Sequence, residues 1–132
     1  MTFAFVNRIT TRTATIFLDE NGILQILIHP DIRIDYEDAL DNALVIKNLT
    51  NNVSALKLID MRTNCIIEKK AQKFIDSNEI KYKTIARAVI KNSVLNSLVI
   101  NFFMKLNQPE TPTRFFTNYP DAYRWLLSLK KE

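Results

Sequence analysis

The sequence predicts an α/β domain with a mixed, mainly parallel sheet, an N-terminal β-hairpin and helices packed on the sheet. Three observations carry this. Two β-branched, apolar runs, Thr13 to Asp19 and Ile23 to Ile28, flank an Asn21-Gly22 turn signal. Apolar runs of strand length then alternate with stretches of helical apolar spacing, as in sheets built through crossovers. No repeat, low-complexity tract or linker interrupts residues 13–132, which read as one domain behind a 1–12 arm or extra edge strand.

The elements follow in the order β-β-α-β-α-β-α-β-α. Asn21-Gly22 suits a two-residue type I′ turn, which needs positive φ at both positions. Pro30 ends the second strand, because proline donates nothing to a ladder. Asp35 reads as an N-cap with Asp38 at the third helical position. Ala39, Leu40, Ala43, Leu44 and Ile46 or Lys47 then keep helical spacing to about Leu49, before a polar exit at Thr50, Asn51 and Asn52. Ala55 to Met61 reads as a buried strand. Ile67, Ala71, Phe74 and Ile75 share one helix face, with lysines opposite.

Thr84 to Ile90 is a strand with Arg87 as its one charge. Asn92-Ser93 stands where the next helix needs a cap, and Val94, Leu95, Leu98, Val99, Phe102, Phe103 and Leu106 form that helix's broad apolar stripe. Pro109 and Pro112 bracket a rigid link, and Thr113 to Thr117 is a short strand. Asn118 caps the last helix, with Pro120 in its first turn and Asp121 at its third position. Ala122, Trp125, Leu126 and Leu129 face inward.

Composition excludes several chemistries. Gly22 is the only glycine in 132 residues, and a P-loop, a dinucleotide-binding turn and a serine-hydrolase elbow each need at least two. One cysteine, Cys65, and one histidine, His29, preclude an internal disulfide and a Cys/His metal centre within the monomer. The Val94 to Leu106 stretch is broken by polar residues and too short to span a bilayer, and no secretory signal opens the chain. The expectation is a reduced, cytoplasmic setting with no membrane contact, cofactor or metal.

Charge is uneven. Residues 1–66 hold six Lys/Arg against eight Asp/Glu, and residues 67–132 hold twelve against six. A basic half suits a nucleic-acid surface, but Lys69, Lys70, Lys73, Lys81 and Lys83 also read as solvated faces of a helix and its loop. No arginine cluster or aromatic-interleaved basic strand accompanies them.

Ligands of open α/β sheets gather outside the carboxyl ends of strands. Those ends offer Asp60, Arg62 and Thr63, then Asn92 and Ser93, then Thr117 and Asn118. They suit a small polar or anionic ligand, a protein partner or a modified hydroxyl; equally, Ser93 and Asn118 serve as caps, and Asp60 pairs with Arg62. Asn101 and Lys105, four apart on one helix face, could hold an anionic group or simply be solvated. Cys65 at a helix start would have a depressed pKa; as a buried apolar residue it would be inert. His29 lacks a carboxylate partner in sequence, and no nucleophile–base spacing is visible, so no enzyme is expected.

Several phrases resemble the STAS-like, anti-sigma-factor-antagonist-like (SpoIIAA-like) family, in particular its small stand-alone proteins seen mainly in Bacteroidetes. They are Asp19-Glu20-Asn21-Gly22-Ile23, Leu58-Ile59-Asp60-Met61-Arg62, Ile100 to Asn107, Pro112 to Thr117 and Ala122-Tyr123-Arg124-Trp125-Leu126. The resemblance implies a SpoIIAA-like fold and a non-enzymatic regulatory or protein-interaction role. Antagonists of sigma-factor inhibitors carry a phosphorylated serine in an Asp-Ser-Ser-Gly-like segment. Here Asp60-Met61-Arg62-Thr63-Asn64-Cys65 stands there, with neither a serine pair nor a glycine, so the phosphoswitch does not carry over.

Three functions follow as expectations. The first is a regulatory or interaction domain whose ligand or partner site comprises Asp60, Arg62, Thr63, Ser93, Asn101 and Lys105. The second is a small-molecule or lipid carrier with an apolar pocket between the 94–106 helix and the sheet. The third is nucleic-acid binding through the basic half. An exposed Phe3/Phe5 arm would suit a homodimer.

Overall fold

The computed structural model describes residues 7–77, 83–92 and 97–130. Its elements are β1 (Ile9–Thr10), β2 (Ala14–Leu18), β3 (Ile23–Ile28), β4 (Ile32–Ile34), α1 (Tyr36–Thr50), β5 (Ala55–Asp60), β6 (Cys65–Ile67), α2 (Lys69–Ile75), β7 (Thr84–Ile90), α3 (Ser97–Leu106), β8 (Thr113–Phe116) and α4 (Tyr119–Ser128). Ile9 and Thr10 pair with β2 at the edge of the sheet. Phe3 and Phe5 lie outside the described residues, as do Ser93, Val94 and Leu95.

One six-stranded sheet runs β1-β2-β3-β5-β7-β8. Its first three strands are antiparallel neighbours and its last four are parallel. The parallel strands are buried on both faces and therefore read as near-continuous apolar runs. On one face Leu24, Ile26, Ile59 and Val89 pack with α1, α2 and α3. On the other, Ile23, Leu56, Leu58, Ala86, Ala88 and Ile90 meet Ala122 and Leu126 of α4.

The hairpin turn departs from the type I′ expectation. Gly22 has φ 79°, but Asn21 is not among the residues with positive φ. The Gly22 N–H donates to the Asp19 carbonyl and the Asp19 N–H to the Ile23 carbonyl, leaving Glu20, Asn21 and Gly22 as a three-residue loop. This is a turn closed by a left-handed glycine. The Asp19 carboxylate explains the choice: its Oδ1 accepts from the N–H groups of Asn21 and Ile23, which holds Asn21 in ordinary turn geometry.

Asp35 caps α1 as expected. Its side chain accepts from the Asp38 N–H while the Asp38 carboxylate accepts from the Asp35 N–H. Arg12 clamps the same carboxylate through Nε and Nη2, and Nη2 also donates to the Arg33 carbonyl. This arginine fork holds Asp38 below the usual carboxylate range. The helix ends at Asn51 and Asn52, both left-handed at φ 54° and 61°. Asn118 accepts from the Asp121 N–H at the head of α4.

Two short strands were not foreseen. β4 and β6 form a parallel ladder of their own, Ile32 to Ile34 against Cys65 to Ile67. Ile67 therefore belongs to a strand, and α2 starts at Lys69. Cys65 does not sit at a helix start. It is buried in β6, where desolvation pushes its thiol up to about 11 instead of down. Leu98, assigned to the apolar stripe of α3, is exposed, because the buried face of that helix runs through Val99, Phe102, Phe103 and Leu106. Leu44 of α1 is exposed likewise. Among the described residues no helix is long and apolar enough to cross a membrane.

Candidate functional site

A cavity of about 240 Å³ lies between the sheet and the pair α1 and α2. Its sheet side is formed by Ile26, Ile28, Lys57, Ile59 and Arg87, and its helix side by Ala39, Ala43, Ile46, Phe74 and Ile75. Exposed Leu44, Lys47 and Asn52 also line it, so it opens to solvent along the last turns of α1. The expected pocket between the 94–106 helix and the sheet is thus displaced: α3 contributes only Phe103. Side-chain volume is the reason. Val99, Phe102, Phe103 and Leu106 fill the space beneath α3, whereas the alanines of α1 leave space beneath theirs.

Lys57 and Arg87 are the unexpected residues of this cavity. They face one another as register partners in β5 and β7, on the cavity side of the sheet, and both are buried. Burial, and then the charge of Arg87, bring the Lys57 ammonium down to about 7. Burial lowers Arg87 to about 10, partly countered by Asp76, so it stays charged at neutral pH. Arg87 Nη1 reaches Thr113 Oγ1 only at 3.5 Å, and Nη2 is buried with no hydrogen-bond partner among the described residues. Lys83 and Lys47 also line the cavity, and among the described residues no aspartate or glutamate does. One signal could have revealed the pair: each is a lone cation with apolar neighbours on both sides in a strand central in the sheet, where unpaired charge is costly.

The residues expected at the strand ends divide into two places. Asp60, Arg62 and Thr63 stay together at the end of β5. Arg62 Nε and Nη2 donate to Asp60 at 3.0 and 2.6 Å, and that hydrogen-bonded carboxylate raises the arginine further. Asn92 donates to the Arg62 carbonyl, while the half-buried Thr63 hydroxyl makes only long contacts of 3.5 Å to the carbonyls of Ile28 and His29. Asn101 and Lys105 instead line a separate groove with Arg33, Ile66, Glu68, Lys69, Gln72, Leu98 and Phe102. Ser93 lies outside the described residues.

His29 is engaged without a carboxylate. Its Nδ1 lies 3.1 Å from the Arg12 carbonyl and its Nε2 3.1 Å from the Thr15 hydroxyl. A carbonyl only accepts, so Nδ1 carries the proton in the neutral ring. A polar cluster on the other face of the sheet also went unforeseen. Asp19 accepts from Tyr123 and Gln25, and Gln25 donates to Tyr119, whose ring stacks on Tyr123 at 5.5 Å. Burial and Asp19 hold the Tyr123 phenol up at about 12.

The basic residues of the C-terminal half are dispersed. Lys83 and Arg87 line the cavity, Lys69 and Lys105 the groove, and Lys70 lies over Tyr36. Arg114 lies over Phe116 and Trp125. Among the described residues no three or more His, Cys, Asp or Glu side chains are grouped to hold a metal.

The chain is similar in fold to a crystal structure of an uncharacterised DUF3478-family protein with a SpoIIAA-like fold from Shewanella loihica PV-4. The TM-score is 0.57 at 14% identity, and the match covers 96% of this chain and 98% of that one. The fold is therefore SpoIIAA-like. No curated protein matches the sequence. The model of a family described as a domain of unknown function, DUF7793, matches residues 16–130, and the chain belongs to that family.

Proposed function

We propose that this protein is a non-enzymatic regulatory domain that holds a small apolar ligand between its sheet and the helices α1 and α2. The apolar cavity carries this reading. Native interiors are packed close to crystal density, so a cavity this large, open at one side and walled by isoleucines, has the character of a binding site rather than a packing defect. The single free thiol, buried in β6, suits a reducing cytoplasm.

Titration with neutral 1-alkanols tests the reading. Each buried methylene contributes about 0.8 kcal/mol, so lengthening 1-hexanol to 1-octanol should tighten binding roughly tenfold. Methyl chemical shifts of Ile26, Ile59 and Ile67 should move, and Ala43→Phe, which fills the cavity, should abolish binding while preserving the fold. No saturable binding, or binding that survives Ala43→Phe, refutes the proposal.

A protein partner is the second reading, favoured by the exposed Ile66 and Leu98 beside Asn101 and Lys105 in the groove. Self-association that Leu98→Asp abolishes, with alkanol binding intact, would support it. A chain that remains monomeric at millimolar concentration would count against a second copy as that partner.

A further inference from the structure

Two cations are buried side by side in a cavity that no acid lines among the described residues. Lys57 and Arg87 are 5% and 2% exposed. Desolvating one charge is costly, and setting a like charge beside it raises the cost. Asp76, the carboxylate that acts on Arg87, sits at the end of α2 and does not line the cavity. Arg87 has five N–H donors to satisfy, yet it makes one long contact to Thr113 and keeps Nη2 unpartnered among the described residues. Buried donors are almost always paired. Among the described residues Arg87 Nη2 lacks an acceptor, and the cavity that Arg87 lines is the open space beside it.

We propose that the ligand is an amphipathic monocarboxylate, its carboxylate seated against Lys57 and Arg87 and its apolar body beneath α1 and α2. This rests on the ligand-holding reading above and specifies its chemistry. A guanidinium fork matches a carboxylate with two parallel hydrogen bonds, and the neighbouring ammonium completes its coordination. One monoanion also fits the space. With a water occupying about 30 Å³ in the liquid, the cavity has room for roughly eight heavy atoms, and octanoate, with ten, fits with its end at the open side.

Lys57 also couples binding to protons. Among the described residues the charges around it are Arg87 on β7, with Lys83 and Lys47 at the cavity wall, while Asp76 at the end of α2 acts on Arg87. In the empty protein it loses its proton near pH 7. An arriving carboxylate favours the ammonium, so binding above that pH takes up a proton and weakens towards tenfold per pH unit.

The test is calorimetric titration of the whole chain with octanoate and with 1-octanol, which share a tail and differ in charge. At pH 6.5 octanoate should bind at least tenfold tighter. Lys57→Met should remove most of that preference, as should Arg87→Gln, with a native circular-dichroism spectrum and a cooperative urea transition certifying that each variant is folded. Octanoate binding should weaken from pH 7.5 to 9, and 1-octanol binding should not. Equal affinities in the wild type, or a preference that survives both substitutions, overturn the carboxylate assignment while leaving the apolar-ligand reading intact. If neither compound binds, both fall together.

Discussion

Lys57 and Arg87 stand directly opposite one another in adjacent parallel strands, both on the sheet face that the helices α1 and α2 cover. In the empty protein this is a destabilising relationship. Lys57 titrates near 7 when folded and near 10.5 when unfolded. Below pH 7 it is charged in both states, and its full burial penalty applies. Between 7 and 10.5 the unfolded chain holds a proton that the folded chain lacks, so the penalty shrinks as pH rises. Lys57→Met should therefore stabilise by about 1–4 kcal/mol at pH 6, with a smaller gain at pH 9. Urea unfolding at the two pH values measures this, and a variant weaker than wild type at pH 6 would contradict it.

Cys65 should be inert while the protein is folded. With its thiol at about 11 against an ordinary 9.0, the thiolate fraction at pH 8 is roughly a hundredfold below that of an unperturbed cysteine. Ellman's reagent should react with the native chain at least that much more slowly than with the chain in guanidinium. Comparable rates in both would mean that β6 does not shield the sulfur.

Gly22 isolates backbone strain from packing. A Cβ at this position meets no atom within 4 Å, yet φ is +79°. Gly22→Ala should cost about 1 kcal/mol, all of it conformational. Gly22→Asn should cost less, because asparagine tolerates the left-handed region better. Equilibrium unfolding of both variants decides this: equal losses would point to a contact that the loop geometry does not contain.

Much of the architecture was legible in the residues. The Asp35–Asp38 capping box, the strand Thr84–Ile90 and the Asn118–Asp121 cap each have local chemistry that specifies them with little tertiary help. β4 and β6 have no such chemistry. Each is three residues long and ordered only by pairing with the other across some thirty positions, so neither contains enough residues to show a period. The strand-end trio Asp60, Arg62 and Thr63 was readable from the β5 boundary, whereas the separation of Asn101 and Lys105 from it depends on where α3 packs. The cavity could not be read from the sequence at all. It is a difference in volume between Ala39 and Ala43 above and the isoleucines below, and it exists only once the layers are stacked. Lys57 was hidden by its own neighbours, because four buried apolar residues around one cation still read as an apolar strand.

The small β4–β6 ladder has a mechanical consequence. Ile34 is one residue from the first turn of α1, and Ile67 one residue from that of α2, so each helix is the direct continuation of a strand in the same ladder. Asp35 and Glu68, the only links, are the N-caps themselves. Neither helix can tilt away from the sheet without pulling on the hydrogen bonds that hold the other. The two behave as one hinged plate, and an occupant wedged beneath either one is felt along both.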